Sequence, residues 1–126
     1  MKQKEITLFG KQFTLGYCYA TEISYKTLTD EDITDFVQHT IESLQNKQMP
    51  DTRKSIFFIL ASIISYYESH DEKAPVTDKQ LMYELSPTDM GTAIGTILNL
   101  RGEFYHVPSD EPKEKPTEGE QQEKNA

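Results

Sequence analysis

The sequence predicts a mainly α domain with a small N-terminal β-hairpin (α+β), in which about five helices form one compact body over residues 1–108, followed by a disordered acidic tail over 109–126. Three observations carry this. Apolar and polar residues alternate on either side of Gly10-Lys11; later segments repeat apolar residues at helical spacing behind capping residues; and no aromatic or branched aliphatic residue follows Pro108.

The hairpin comes first. Ile6 and Leu8, then Phe13, Leu15 and Tyr17, alternate with polar residues, the pattern of two half-buried strands. Gly10-Lys11 reads as a type II′ turn with glycine at the position of positive φ, so Gly10→Val is expected to harm folding more than Lys11→Val. A short helix over Tyr19 to Thr27 is expected next, with Ala20, Ile23 and Thr27 on one side. Thr29 followed by Asp30, Glu31 and Asp32 predicts a second helix start, a hydroxyl cap with carboxylates in the first turn facing the positive helix end. Ile33, Phe36, Val37, Thr40, Ile41 and Leu44 then form one stripe, and the helix is expected to run to about Lys47.

Asp51 caps a central helix carrying Ile56, Phe57, Ile59, Leu60, Ile63, Ile64 and Tyr67, with Lys54, Ser55, Ser62, Ser65 and Ser69 predicted on the opposite, polar side. Phe58 falls among the polar group, either covered by a later helix or exposed as an anchor for a partner. Thr77 to Gln80 supplies a capping box for a short helix through Leu81, Met82 and Leu85. Ser86-Pro87-Thr88-Asp89 is the strongest helix start: a cap, proline at the first helical position and an acid in the first turn. Met90, Ala93, Ile94, Ile97, Leu98 and Arg101 share its inner side, and Gly91, Ala93 and Gly95 are expected to admit a neighbouring helix closely, with the helix ending at Phe104 or Tyr105.

Composition narrows the function classes. A formal charge of -8 over 126 residues, with Arg53-Lys54 the only adjacent basic pair, argues against nucleic acid, which is held by clustered Lys and Arg. One cysteine closes no intramolecular disulfide, and the start lacks the apolar run of an export signal, so the expected location is cytoplasmic. Ile56 to Tyr67 falls short of the roughly 20 residues that cross a bilayer, so no membrane span is expected.

No catalytic, cofactor or metal site is expected. His39, His70 and His106 do not stand at i, i+3 or i+4 from one another or from Cys18. The acids at 30–32 are explained by the helix start, Gly91 and Gly95 lie inside a helix and not at a phosphate-binding turn, and Cys18 has no basic neighbour beyond Lys26 and reads as a small buried side chain.

The opening Ile6-Thr7-Leu8-Phe9-Gly10-Lys11-Gln12-Phe13-Thr14-Leu15-Gly16-Tyr17, running straight into a helix, resembles the start of the tail assembly chaperones of long-tailed bacteriophages and prophages. The later layout is similar too: a long apolar helix over Ser55 to Tyr67, an acidic loop, a short capped helix from Thr77, and a last amphipathic helix before a charged tail. Where many members close the first helix with an acidic residue and a Thr-Gly pair, this chain has Tyr25-Lys26-Thr27-Leu28-Thr29 without glycine. The resemblance implies a non-enzymatic role: coating the long helical tape-measure protein and recruiting tail-tube subunits. Phe57, Phe58 and Tyr66 are the candidate partner-binding residues, on a groove for an amphipathic helix. The alternative is a structural virion component, a tail-tube or connector subunit that self-assembles through the hairpin edge. An enzyme would need a pocket of convergent polar groups that the sequence does not advertise.

Overall fold

The computed structural model describes residues 1–106, in the order β1 (Lys2–Leu8), β2 (Lys11–Tyr17), α1 (Tyr19–Thr29), α2 (Ile33–Gln45), α3 (Thr52–Ser69), α4 (Asp78–Glu84) and α5 (Pro87–Phe104). The predicted hairpin and five helices are present; the tail at 109–126 lies outside the described residues. One cluster of buried side chains draws on all seven elements, with α3 at its centre.

The hairpin turns one residue earlier than expected. Leu8 pairs with Lys11, so the turn residues are Phe9-Gly10, and both have positive φ (38° and 77°), which makes the turn type I′ and not II′. Phe9 is an unfavourable residue for that conformation. It is held there because its N–H donates to Asp89 Oδ2 at 2.9 Å and its ring packs edge-on against Phe13.

A two-residue turn makes its flanking pair hydrogen-bonded and alternates thereafter, so Thr14 and Gly16 of β2 direct their backbone groups outward from the ladder. The neighbouring elements take up one group of each. Thr14 N–H donates to Tyr67 Oη at 3.3 Å, and the Gly16 carbonyl accepts from Ser62 Oγ at 2.8 Å and Thr21 Oγ1 at 3.2 Å. Ser65 and Thr21 hydroxyls lie 2.7 Å apart beside them. The serine side of α3, predicted as its polar face, is therefore buried: Ser55, Ser62 and Ser65 are all in the interior. Their small side chains let α3 pass close to the sheet edge. A Cβ on Gly16 would come within 3.1 Å of the Tyr66 Cβ.

The same contact sets the face of α1. Thr21 and Tyr25 point inward, while Ile23, expected inside, is exposed. A helix packed on serine hydroxyls does better with Thr21, which joins their hydrogen bonds, than with an aliphatic chain. Cys18, expected to be buried, is the half-exposed N-cap of α1, its N–H donating to Thr21 Oγ1.

The second helix begins later than the acids suggested. Thr29 closes α1, Asp30 turns the chain in the left-handed region (φ 63°), and Asp32 is the N-cap of α2, with Asp35 the acid in its first turn. Thr29 Oγ1 donates to the Tyr25 carbonyl and accepts from Glu31 N–H, so its hydroxyl stabilises the bend between helices. Glu31 ties α1 to α3, accepting from Tyr25 Oη at 2.7 Å and Lys54 Nζ at 3.1 Å. Partial burial opposes its ionisation, yet those two donors outweigh it and hold its carboxyl below the ordinary range.

The remaining caps fall where the sequence placed them. Asp51, Thr77 and Ser86 accept from the N–H groups of Lys54, Gln80 and Asp89 at the starts of α3, α4 and α5. The inner face of α5 is Ala93, Ile94, Ile97 and Leu100. Gly91 and Gly95 do not admit a neighbouring helix: a Cβ at either, or at Gly102, would meet nothing within 4 Å, because this side of α5 faces outward.

Candidate partner-binding surface

The structure does not bring Phe57, Phe58 and Tyr66 onto one surface. Phe58 has 0% exposure and is wedged between Phe36 of α2 and Tyr25 of α1, ring centroids 4.7 and 6.2 Å away. Of its two readings the buried one holds, and α1 and α2, which precede it in the chain, cover it. Phe57 is 8% exposed, its ring beneath the Arg53 guanidinium at 4.9 Å. Tyr66 is half-buried near the sheet edge, edge-on to the Tyr67 ring and tilted against the His70 ring. As placed here, neither phenylalanine presents an apolar surface to a partner.

A different apolar surface is present. The stripe of α2 reaches the core only in its first half, where Ile33, Phe36, Val37 and Thr40 are buried. Its second half overhangs, leaving Ile41 44% exposed and Leu44 53% exposed, with Met49 beyond them at 72%. Beside this overhang runs an open groove of about 460 Å³, walled by Thr34, Val37, Gln38, Ile41, Glu42 and Gln45 of α2 and by Arg101 of α5.

Arg101 gives the groove its cation. Its guanidinium lies 5.3 Å from the centre of the Tyr105 ring, and its Nε is buried with no hydrogen-bond partner among the described residues. The nearby Glu22 carboxylate is engaged by the hydroxyls of Tyr17, at 2.8 Å, and Tyr105. The hydrogen bond from Tyr105 to that carboxylate, with some burial, pushes the Tyr105 phenol up to about 12; Tyr17, more deeply buried and bonded to the same carboxylate, is raised further. The guanidinium is only half-buried, so a carboxylate or carbonyl brought into the groove would gain a charge-assisted hydrogen bond from its accessible N–H groups as well as apolar contact with Ile41.

Periodicity hid this surface. Ile41 and Leu44 continue the inner stripe in register, and nothing in the spacing tells where the core beneath a helix ends. Arg101 was legible as an inner-side residue of the last helix, but not as a wall shared with α2. Among the described residues no three His, Cys, Asp or Glu side chains cluster as metal ligands would, and no helix is long and apolar enough to cross a membrane. No protein-family model matches this chain, and no curated protein or solved structure matches it either.

Proposed function

We propose that this chain is a non-enzymatic tail assembly chaperone of a long-tailed phage or prophage, which holds a long helical tape-measure protein and helps recruit tail-tube subunits. The observation that carries the reading is the overhanging face of α2: Ile41 and Leu44, one helical turn apart, are exposed, and Ile41 lines a groove that Arg101 walls on its other side. An amphipathic helix laid on that face would bury apolar residues against Ile41 and Leu44 and direct an acidic side chain or a terminal carbonyl at Arg101. The order of a hairpin and five helices, which resembles the layout expected of that family, supports the same reading. A formal charge of -8 suits a carrier that keeps an aggregation-prone helix in solution.

The test is co-expression with a long helical tape-measure protein, followed by affinity pull-down and size-exclusion chromatography. The wild-type chain is expected to co-elute with that protein as a soluble complex, and Leu44→Asp to lose the complex while remaining folded, because Leu44 is already exposed. A complex that survives both Leu44→Asp and Ile41→Asp would refute α2 as the docking face. No complex at all, with rings or tubes formed by the chain alone, would replace the chaperone reading with a structural subunit.

A further inference from the structure

The two edges of the hairpin are treated differently. On β2 the outward N–H of Thr14 is taken up by Tyr67 and the outward C=O of Gly16 by Ser62 and Thr21. On β1 the corresponding outward residues are Gln3, Glu5 and Thr7, opposite Gly16, Thr14 and Gln12. Their N–H and C=O groups have no partner among the described residues, and all three residues are exposed. The register of this open edge is fixed, because Ile6 and Leu8 of the same strand are anchored in the core. A fixed strand with unpaired backbone groups is a template for one more strand.

We propose that the outer edge of β1 accepts an added strand from a protein partner, an extended segment that places a carboxylate opposite Lys4. A second copy of this chain fits poorly. Antiparallel self-pairing sets Glu5 against Glu5, Lys4 against Lys4, or Lys2 against Lys4, in three successive registers, and like charges directly opposed are destabilising. The register that aligns Ile6 with Ile6 avoids this. It leaves only Glu5 and Thr7 to bond across the junction, since Phe9 N–H already donates to Asp89. Lys4, by contrast, stands where a new strand approaches most closely: it is a hydrogen-bonded pair with Leu15 inside the hairpin, so on the outer side it faces a non-hydrogen-bonded neighbour with Cα atoms about 4.5 Å apart. A carboxylate there pairs with its ammonium while the backbone supplies the ladder. This surface is independent of the α2 groove, and the chaperone reading does not rest on it.

The probe is an acetylated, amidated peptide of alternating valine and threonine with one central glutamate, titrated into the isotope-labelled full chain and followed by NMR. Exchange of the Gln3, Glu5 and Thr7 amides is expected to slow by about tenfold at saturation, the equivalent of one net hydrogen bond each, with Lys4 and Ile6 amides unchanged. Glu5→Pro removes only an outward N–H and is expected to abolish the effect with the hairpin signals retained. Lys4→Glu, at an exposed site, is expected to reverse the preference toward a peptide with central lysine. No response to the peptide, or no reversal by Lys4→Glu, overturns the proposal. So does protection of the three amides in the peptide-free chain: if independent of concentration the edge is covered by the chain itself, and if it rises with concentration by a second copy.

Discussion

Replacing Thr21 by valine removes one hydroxyl and almost no volume, and the structure allows its cost to be worked out bond by bond. Thr21 Oγ1 donates to the Gly16 carbonyl, and receives from Cys18 N–H and from the Ser65 hydroxyl. In the valine variant the Gly16 carbonyl keeps Ser62, and Ser65 can turn to the Ser62 carbonyl 3.1 Å away. Two bonds, to Cys18 and from Thr21 to Gly16, are lost outright. At about 1 kcal/mol net each, the variant should lose about 2 kcal/mol. For a domain of this size that corresponds to a Tm lower by roughly 8–15 °C. Thr21→Ser keeps the hydroxyl and gives up one methyl, a loss of about 1 kcal/mol. Urea unfolding followed by far-UV circular dichroism measures both. If Thr21→Val lies within about 0.5 kcal/mol of wild type, or costs less than Thr21→Ser, the hydroxyl cluster between α1, α3 and the sheet edge is not what holds them together.

Phe58→Ala should cost about 3–5 kcal/mol, because it empties a site enclosed by Tyr25 and Phe36, and thermal denaturation will show whether the domain survives it. Gly95→Ala should stabilise the protein by roughly 0.5–1 kcal/mol in the same unfolding assay, since the added methyl meets nothing and the helix interior gains propensity. At high pH, Tyr17, Tyr25 and Tyr105 should resist ionisation, their phenols raised by burial and by bonds to Glu22 or Glu31. The folded state therefore holds protons that the unfolded state releases near pH 10, and stability should fall as pH rises above about 10. Absorbance at the tyrosinate band should show the phenols of Tyr17, Tyr25 and Tyr105 ionising only with the unfolding transition.

The parts of the fold that the sequence made legible are those governed by local chemistry. Asp51, Thr77 and Ser86 each had a free oxygen three residues ahead of an amide, and each caps the predicted helix. Alternation identified Ile6, Leu8, Phe13, Leu15 and Tyr17 as the buried side of the hairpin. What the sequence concealed depends on which surface lies opposite. Ser62 and Ser65 read as a solvated face because serine is polar, yet a sheet edge with outward backbone groups needs hydroxyls, and that need appears only once β2 is placed beside α3. Ile41 and Leu44 read as core because their spacing is right, but burial also requires a neighbour of sufficient length. The bend at Thr29 to Asp32 was misplaced by three residues because threonine and aspartate serve equally as helix caps and as turn formers.

The bond between Phe9 N–H and Asp89 joins residues 80 positions apart, and the bond from Tyr105 to Glu22 spans 83. In synthesis the hairpin is made before the five helices and has the residues to fold locally, yet its tip and α1 receive these partners only when α5 has been made. Contacts of such sequence separation are slow to close and must await α5. Until α5 is made, the hairpin tip and α1 lack these two partners, and the interior is completed as a late step. A mutation that weakens the Asp89 contact would act on this late step as well as on the finished turn.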